Sequence, residues 1–592
     1  MATRVERVAH RLRRTVGDRR PATVVASRHS DPTEGTPVSQ HHLVVHPLVL
    51  RRLTVLRVRD VTPRMRRVTV GGDELGAFRR DGLDLQAFAS TQFDDHVKIV
   101  FNADGPAEDV VPIQLEHGIE WTDAPSRRAR DYTPRRVAED ELDVDFVLHS
   151  ARGGGPAEQW ARGAAPGDDL WIVGPKSSTV LPSDVDRMIL VADETGLPAV
   201  GRFFDERPAD VPVTAVLTVA DDRARQDLAV GPHDSVVWVN AAPGDGAALA
   251  DAVATLPDEV WQGTPYVWAA GESRSLLPLR RLVGRTHGVP KDHTNITGYW
   301  HVTTDTDDSA APATPPIEAP VAWLAVRAAV RLGVLDAIGD GATTTAAIGD
   351  RLTLPESVLA PLVDVLVTRG VLTETAGTLG LGSLGDDLLG DEHAREYFDG
   401  PFADGVLTLT RLPDALRSGR SAWQESYGRT LAETAAEDPD LAGEFEEEAA
   451  RLTFLTGGIA ALPVWRDGLR VAVTGPGAEP VRRGLADARP VHFVDDGADL
   501  VVSALAGEHR TDDELRSHLA ACDAPALVLV ESTTPDALGA HRAEEMLLRV
   551  ATTGAAYRTA ERLTEIAGEA GWRTRSTRSL GWGVGALVLD RA

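Results

Sequence analysis

A change of rhythm at Pro182 constrains this chain more than any other feature. Before it, apolar and polar residues alternate in short runs, Leu53 to Asp60, Met65 to Val70, His96 to Phe101, Asp143 to His149 and Asp169 to Val173, with turns between them. A period of two marks half-buried strands, and a series of short ones predicts an antiparallel barrel. After it, apolar strands alternate with helical stretches. Arg187 to Ala192 is followed by a helix over Leu197 to Arg207; Val213 to Val219, Ser235 to Val239 and Tyr266 to Ala270 follow, then a helix over Ser273 to Thr286. That order predicts a parallel, doubly wound α/β sheet. The spans are 43–182 for the barrel and 183–304 for the α/β domain. Residues 1–42 are basic and without sustained period, and are expected to be a mobile arm.

The chain of 592 residues is too long for one core, so a multidomain protein is expected. Asp305 to Pro316 (DTDDSAAPATPP) is acidic, rich in Pro and Ala, and suits a linker. Beyond it, residues 317–395 hold an apolar helix from Pro320 to Leu332, helices over Thr343 to Leu352 and Pro355 to Arg369, and a strand-turn stretch from Val371 to Leu381. That set predicts a winged helix. A helical connector, 396–465, leads to an α/β region, 466–592. Its strand candidates are Val471 to Thr474, Val491 to Val494, Leu500 to Ser503 and Leu527 to Glu531.

Charge and composition exclude several functions. A net charge of −28 argues against nucleic acid as a partner, because such binding neutralises phosphates. It leaves room for an anionic substrate in a local basic cleft. One cysteine, Cys522, excludes an intramolecular disulfide and any cysteine-based cluster, and no metal site is expected. No apolar run approaches the roughly 18 residues of a membrane span, and Met1 to Arg20 lacks a secretory apolar core. A cytoplasmic protein is expected. Its only lysines are Lys98, Lys176 and Lys291.

Two motifs point to a flavin. Arg130-Asp131-Tyr132-Thr133-Pro134-Arg135 offers a cation, a flat aromatic and a hydroxyl along one strand. Asp145 to His149 then runs into Gly153-Gly154-Gly155-Pro156-Ala157 and a helix carrying Trp160. Glycines admit a phosphate close to the backbone, Pro156 suits a first helical turn, and the helix start attracts an anion. Together with GPAxxWA, PGDDLWIVGP, ADETGLPA, WAAGES and NITGYWH, these strings resemble the siderophore-interacting proteins of the vibriobactin-utilisation type across some 250 residues. Those are FAD enzymes with the ferredoxin-reductase-like layout of barrel plus α/β domain, and they reduce ferric siderophores.

The resemblance implies that Arg130, Tyr132 and Thr133 contact the flavin, with Arg135 beside them. His149, Gly155, Pro156 and Ala157 would meet the FAD phosphates and ribose, with Trp160 behind. It implies a nicotinamide donor held by Asp193, Glu194, Thr195, Gly271, Glu272 and Arg274 at strand ends of the α/β sheet. NADH and NADPH both stay open, as does a ferredoxin. Asp193 and Glu194 disfavour a 2′-phosphate nearby, whereas Arg274, Arg280 and Arg281 favour one. The anionic ferric siderophore would lie on Lys98, in the His96-Val97-Lys98-Ile99-Val100-Phe101 strand, with Lys291 and Arg281 as weaker candidates. The family's closing Tyr-Trp-Arg becomes Tyr299-Trp300-His301 here, and the aromatic pair could serve either the flavin or the core.

Ala322 to Leu389 resembles the winged-helix dimerisation domain of small-molecule O-methyltransferases, which implies a homodimer through this region. The remainder would be their α/β methyl-transfer domain in degenerate form. Its DxGxGxG motif reads Val473-Thr474-Gly475-Pro476-Gly477-Ala478-Glu479, with Val473 for the acid and Glu479 for the last glycine. A carboxylate there would repel the methionyl carboxylate of S-adenosylmethionine. The interval from Asp495 to Leu500 leaves no room for the usual extra helix and strand, and His509 lies near the family's catalytic histidine. Two other functions compete with the reductase: a bifunctional protein that also methylates a phenolic substrate, and a flavin-bound regulatory protein.

Overall fold

The computed structural model describes residues 42–148, 155–300, 319–534 and 542–592. The basic arm up to residue 41, His149, Gly153, Gly154, the linker and His301 lie outside the described residues, as does the side chain of Arg274.

Seven antiparallel strands form one sheet in the order Pro134–Val137, Glu141–Val147, Met65–Gly71, Leu50–Thr62, Asp169–Val173, Val97–Asn102 and Arg127–Tyr132. The two edge strands are consecutive in the chain, with only Thr133 between them. At about 3.8 Å per residue, that single link brings the two edges together, so the sheet curls into a barrel with its seam at Thr133. Strand alternation decides what lies inside. Val97, Ile99 and Phe101 join Leu53, Val68 and Phe146 in the core, and each such burial contributes about 1.5–3 kcal/mol. The helix Pro156–Gly163 adds Ala157 and Ala161 to this core.

The next sheet is parallel, in the order Ser235–Asn240, Val213–Val219, Arg187–Ala192, Pro265–Glu272 and Thr294–Trp300. Helices cover both faces: Val200 and Phe203 pack on Met188 and Leu190, while Leu249 and Leu279 pack on Ile189 and Val191. The chain leaves Arg187–Ala192 towards one edge and returns beside it on the other, so a switch point lies between Ala192 and Glu272. The single helix expected over 273–286 is instead three pieces: a turn at Arg274–Leu276, a short helix Leu277–Arg281 and a wide turn Leu282–Thr286. Pro278 has no N–H to give and fits only a first turn, which restarts the helix there.

Past residue 318, helices Val321–Leu332, Thr345–Leu352 and Glu356–Thr368 enclose a core with the hairpin Leu372–Thr375 and Thr378–Leu381. The last sheet runs His492–Phe493, Arg470–Thr474, Leu500–Ala504, Ala526–Ser532, Val584–Arg591 and Trp572–Gly581. Its first four strands are parallel, and Val584–Arg591 is antiparallel to its neighbours. The strand expected over 491–494 shrinks to two exposed residues at the edge. Among the described residues, no helix is long and apolar enough to cross a membrane.

Among the described residues, the two halves meet through several contacts. Arg281 pairs with Asp386 at 2.7 Å, with Arg280 3.6 Å from Asp391. Elsewhere the tip of the Trp572–Gly581 hairpin meets the barrel hairpin Ile113–Leu115 and Gly118–Glu120, through Arg578 to Glu116 and the Gly583 N–H to Glu120 at 3.2 Å.

Candidate functional site

The barrel seam collects the flavin motif. Arg130 and Tyr132 sit opposite Ile99 and Val97. The Tyr132 ring lies 4.6 Å from Phe146, itself 5.6 Å from Trp160, which places Tyr132 on an aromatic base. Burial pushes its phenol well above the usual range, so it stays protonated at neutral pH. Thr133 is buried in the seam, and desolvation raises the Tyr299 phenol. Arg130 is exposed, and its guanidinium bonds the neighbouring Ala129 carbonyl.

Among the described residues, a Cβ added at Gly155 would meet no atom within 4 Å, Pro156 occupies the first turn, and no side chain caps the helix start. Uncapped amides, the helix dipole and the exposed Arg130 form a donor set suited to a diphosphate. FAD therefore fits the residues present. Arg135 has another occupation: it is buried, pairs with Asp205 at 2.6 Å and lies so close to Gly201 that a Cβ there would stand 2.8 Å from its Nε. It braces the barrel on the helix Leu197–Glu206.

The switch point carries a narrow crevice lined by Asp193, Glu194, Thr195, Ala220, Glu272 and Trp300, among others. Asp193 is its fastener. The carboxylate accepts from the Thr195 N–H at 2.8 Å, the Glu272 N–H at 2.9 Å and the Trp300 indole at 2.8 Å. Burial raises its pKa against those bonds. A Cβ on Gly271 would approach the Asp193 carboxylate to 3.0 Å, so glycine there leaves that carboxylate its place. Glu194 accepts from Arg64 at 2.8 Å and from the Ala220 N–H at 3.0 Å, tying the crevice to the barrel. Glu272 accepts from the Ser275 N–H at 2.8 Å. The expected nicotinamide residues with described side chains thus converge, with Asp193, Glu194 and Glu272 acting as scaffold.

Lys98 faces outward, opposite Asp131, and pairs with it at 2.9 Å. Both line a cavity of about 240 Å3 with His96, Lys176, Trp121 and Trp582. Burial lowers the pKa values of Lys176 and His96, with the neighbouring lysine charge adding to the effect. The other two siderophore candidates are elsewhere. Arg281 is committed to Asp386, and Lys291 precedes the amino end of Thr294–Trp300, at the opposite end of the parallel sheet from the crevice.

Comparison with known proteins agrees with this layout. A siderophore-interacting FAD-binding domain matches residues 54–179 and the siderophore-interacting protein model matches residues 185–303. The NADPH-dependent ferric-chelate reductase of Escherichia coli (strain K12) is 32% identical over 262 residues, 44% of this chain and 95% of that protein. This chain belongs to the siderophore-interacting protein family. Another relative of the family, the ferric vibriobactin reductase of Vibrio cholerae, is 25% identical over 42% of this chain and 89% of its own length. An O-methyltransferase from neocarzinostatin biosynthesis is also similar in structure, at 22% identity, TM-score 0.36, 48% of this chain and all of that one.

In the carboxyl-terminal half, the glycine motif is filled by the protein itself. Gly475 has φ +92°, and a Cβ there would lie 2.4 Å from the Ala504 carbonyl; one on Gly477 would lie 2.4 Å from the Leu452 side chain. Glu479 pairs with Arg483 at 3.0 Å, and Asp495 is exposed. His509 stacks on Phe445 at 3.4 Å, and burial lowers its pKa to about 4. Its ligand atom lies within 4.8 Å of those of Glu448 and Glu508, but Glu508 is already neutralised by Arg451.

Sequence reasoning missed Lys176 and Trp582 as lining residues of the Lys98 cavity. The only signal for Lys176 was the scarcity of lysine. Trp582 comes from a hairpin turn far along the chain from Lys98, and no pattern along the chain announces it.

Proposed function

We propose that this chain reduces ferric siderophores with electrons from NADPH through FAD, releasing ferrous iron. It is an oxidoreductase, and FAD is its flavin. Bound FAD would supply the conversion between a two-electron hydride donor and a one-electron metal acceptor. Arg130 and the helix start at Gly155 hold the diphosphate. Thr133 and Tyr299 place hydroxyls at the seam, where the ring would be oriented. Asp193 keeps the crevice in shape for the nicotinamide dinucleotide. Lys98, with Lys176 and His96, receives an anionic ferric complex and offsets its charge. Its setting is the cytoplasm, where NADPH is regenerated.

The observation that carries this reading is the tie between barrel and crevice. Arg64, in the turn between the barrel strands Leu50–Thr62 and Met65–Gly71, pairs with Glu194 at 2.8 Å, and Trp300 bonds Asp193 in the same crevice. Two domains that must exchange electrons are thus fastened to each other. The test is an absorption spectrum of the purified protein, then anaerobic addition of NADPH or NADH, then a ferric siderophore with a ferrous-selective dye. The expected result is flavin absorbance bleached more rapidly by NADPH and restored by the siderophore as ferrous iron appears. A colourless protein, or reduced flavin that the siderophore leaves reduced, would overturn the proposal.

For the carboxyl-terminal half, we infer a methyltransferase-like region that no longer transfers methyl groups. Its glycine motif packs closely on Ala504 and Leu452, and Glu479 stands in place of the motif's last glycine. Val321, Leu324, Leu332 and Val358 are exposed on its helices, and they suit a homodimer; light scattering on the full chain checks that.

A further inference from the structure

Gly581, Trp582 and Gly583 form the turn of the last hairpin with φ of +98°, +54° and +71°. A tryptophan in the left-handed region is strained, so the surroundings must hold it there. The barrel supplies that hold. A Cβ on Gly581 would stand 2.6 Å from the Ile119 carbonyl, which leaves only glycine at that position. The Gly583 N–H donates to the Glu120 carboxylate at 3.2 Å, and Arg578 pairs with Glu116. The strain aims one side chain: Trp582 becomes a wall of the cavity that holds Lys98 and Lys176. Phe454, also from the carboxyl-terminal half, backs Trp582 at 5.6 Å and receives the Lys176 ammonium 4.6 Å over its ring.

We propose that the carboxyl-terminal half completes the substrate site: Trp582, backed by Phe454, is the wall on which an aromatic ring of an aryl-type ferric chelate stacks while Lys98 and Lys176 neutralise its charge. This rests on the reductase reading above and adds the chelate class and the part of the chain that selects it.

The chemistry of the cavity favours that class. Leu48, Ile119 and Val173 offer apolar contact, and Trp121 and Trp582 offer flat faces. A catecholate or phenolate arm is flat and anionic, so it uses both aromatic and cationic walls. A hydroxamate arm has no ring to stack. Two lysines and His96 face one carboxylate, Asp131, which Lys98 already engages. Lys176 is partly desolvated with Lys98 beside it, an arrangement that an arriving anion relieves. The fused half thereby acts as a specificity element, whether or not it has chemistry of its own.

Binding is measured calorimetrically on the full chain with two redox-inert probes: gallium(III) 2,3-dihydroxybenzoate and gallium(III) nitrilotriacetate. Trp582→Gly removes the ring and relieves the positive φ, so the turn is kept. It should weaken the aryl complex about tenfold, the equivalent of one aromatic stack, and leave the nitrilotriacetate complex within about twofold. Trp582→Phe should restore aryl binding to within about threefold of the original, and Phe454→Ala, which spares the hairpin, should weaken it about threefold. Unchanged aryl binding in Trp582→Gly and Phe454→Ala, or equal loss of both complexes, would overturn the proposal. Gallium is not reduced, so a wall that binds in a protein that fails to reduce iron would count against the reductase reading alone.

Discussion

Two glycine turns in this molecule lead from strand to helix, and they end differently. Among the described residues, nothing stands beside the backbone at Gly155 and no side chain caps the helix; at Gly475 and Gly477 the same kind of space is taken by Ala504 and Leu452. Both look like anion cradles in sequence. A glycine only permits close approach, and the neighbour that makes use of it can be a ligand or the protein's own core. At the first turn no described atom uses that approach, whereas at the second the glycines pack against the protein's own Ala504 and Leu452.

The largest expected effect tests the filled turn. Leu452 is fully buried, so Leu452→Ala should cost about 2–5 kcal/mol in urea unfolding. It should still show no saturable S-adenosylmethionine binding at millimolar ligand. Micromolar binding by this variant, or by the unaltered chain, would break the comparison and favour a bifunctional enzyme. Next comes the open turn. Arg130→Ala should lower FAD affinity by about 1.5–3 kcal/mol, read by flavin fluorescence, because it removes a charge-assisted phosphate contact. An unchanged affinity would mean that the helix start alone holds the diphosphate.

A smaller effect separates cofactor from substrate. Lys98→Glu should raise KM for a catecholate ferric siderophore about tenfold, with FAD affinity and flavin reduction by NADPH intact. Parallel losses in all three would show a damaged strand instead. The smallest effect is a pH slope. Burial, with Asp95 beside it, holds the Asp94 carboxyl up to about 6. The folded state therefore keeps a proton that the unfolded chain releases nearer the usual 3.8. This contribution to stability is present below about pH 4 and is lost as pH rises through about 6. Asp94→Asn, which still accepts from Asn295, should flatten that part of the Tm profile and raise Tm at pH 7. An unaltered profile would assign the slope to another group.

The strands of the barrel were readable because alternation is local: Val97, Ile99 and Phe101 declare their inner face within six residues. The glycine-to-helix turn at Gly155 was readable for the same reason. What escaped depends on partners far along the chain. In sequence Arg281 and Arg135 stand as cations without partners, and only the fold places Asp386 and Asp205 against them. The helix after Glu272 was drawn too long because a proline within an apolar run reads equally well as an interruption or a first turn. Trp582 was invisible as a site residue, since a left-handed φ at tryptophan contradicts local preference and arises only from the barrel pressing on its neighbours.

The seam at Thr133 has a consequence for local opening. Among the described residues, no ladder pairing joins Arg127–Tyr132 to Pro134–Val137, so the barrel is closed there by chain connectivity and not by rungs of hydrogen bonds. Such a line should breathe first, with amides on either side exchanging with solvent by small openings while the remaining strands stay protected. A cofactor lying across it would act as the missing rung, and its binding free energy would appear as slower exchange at the seam.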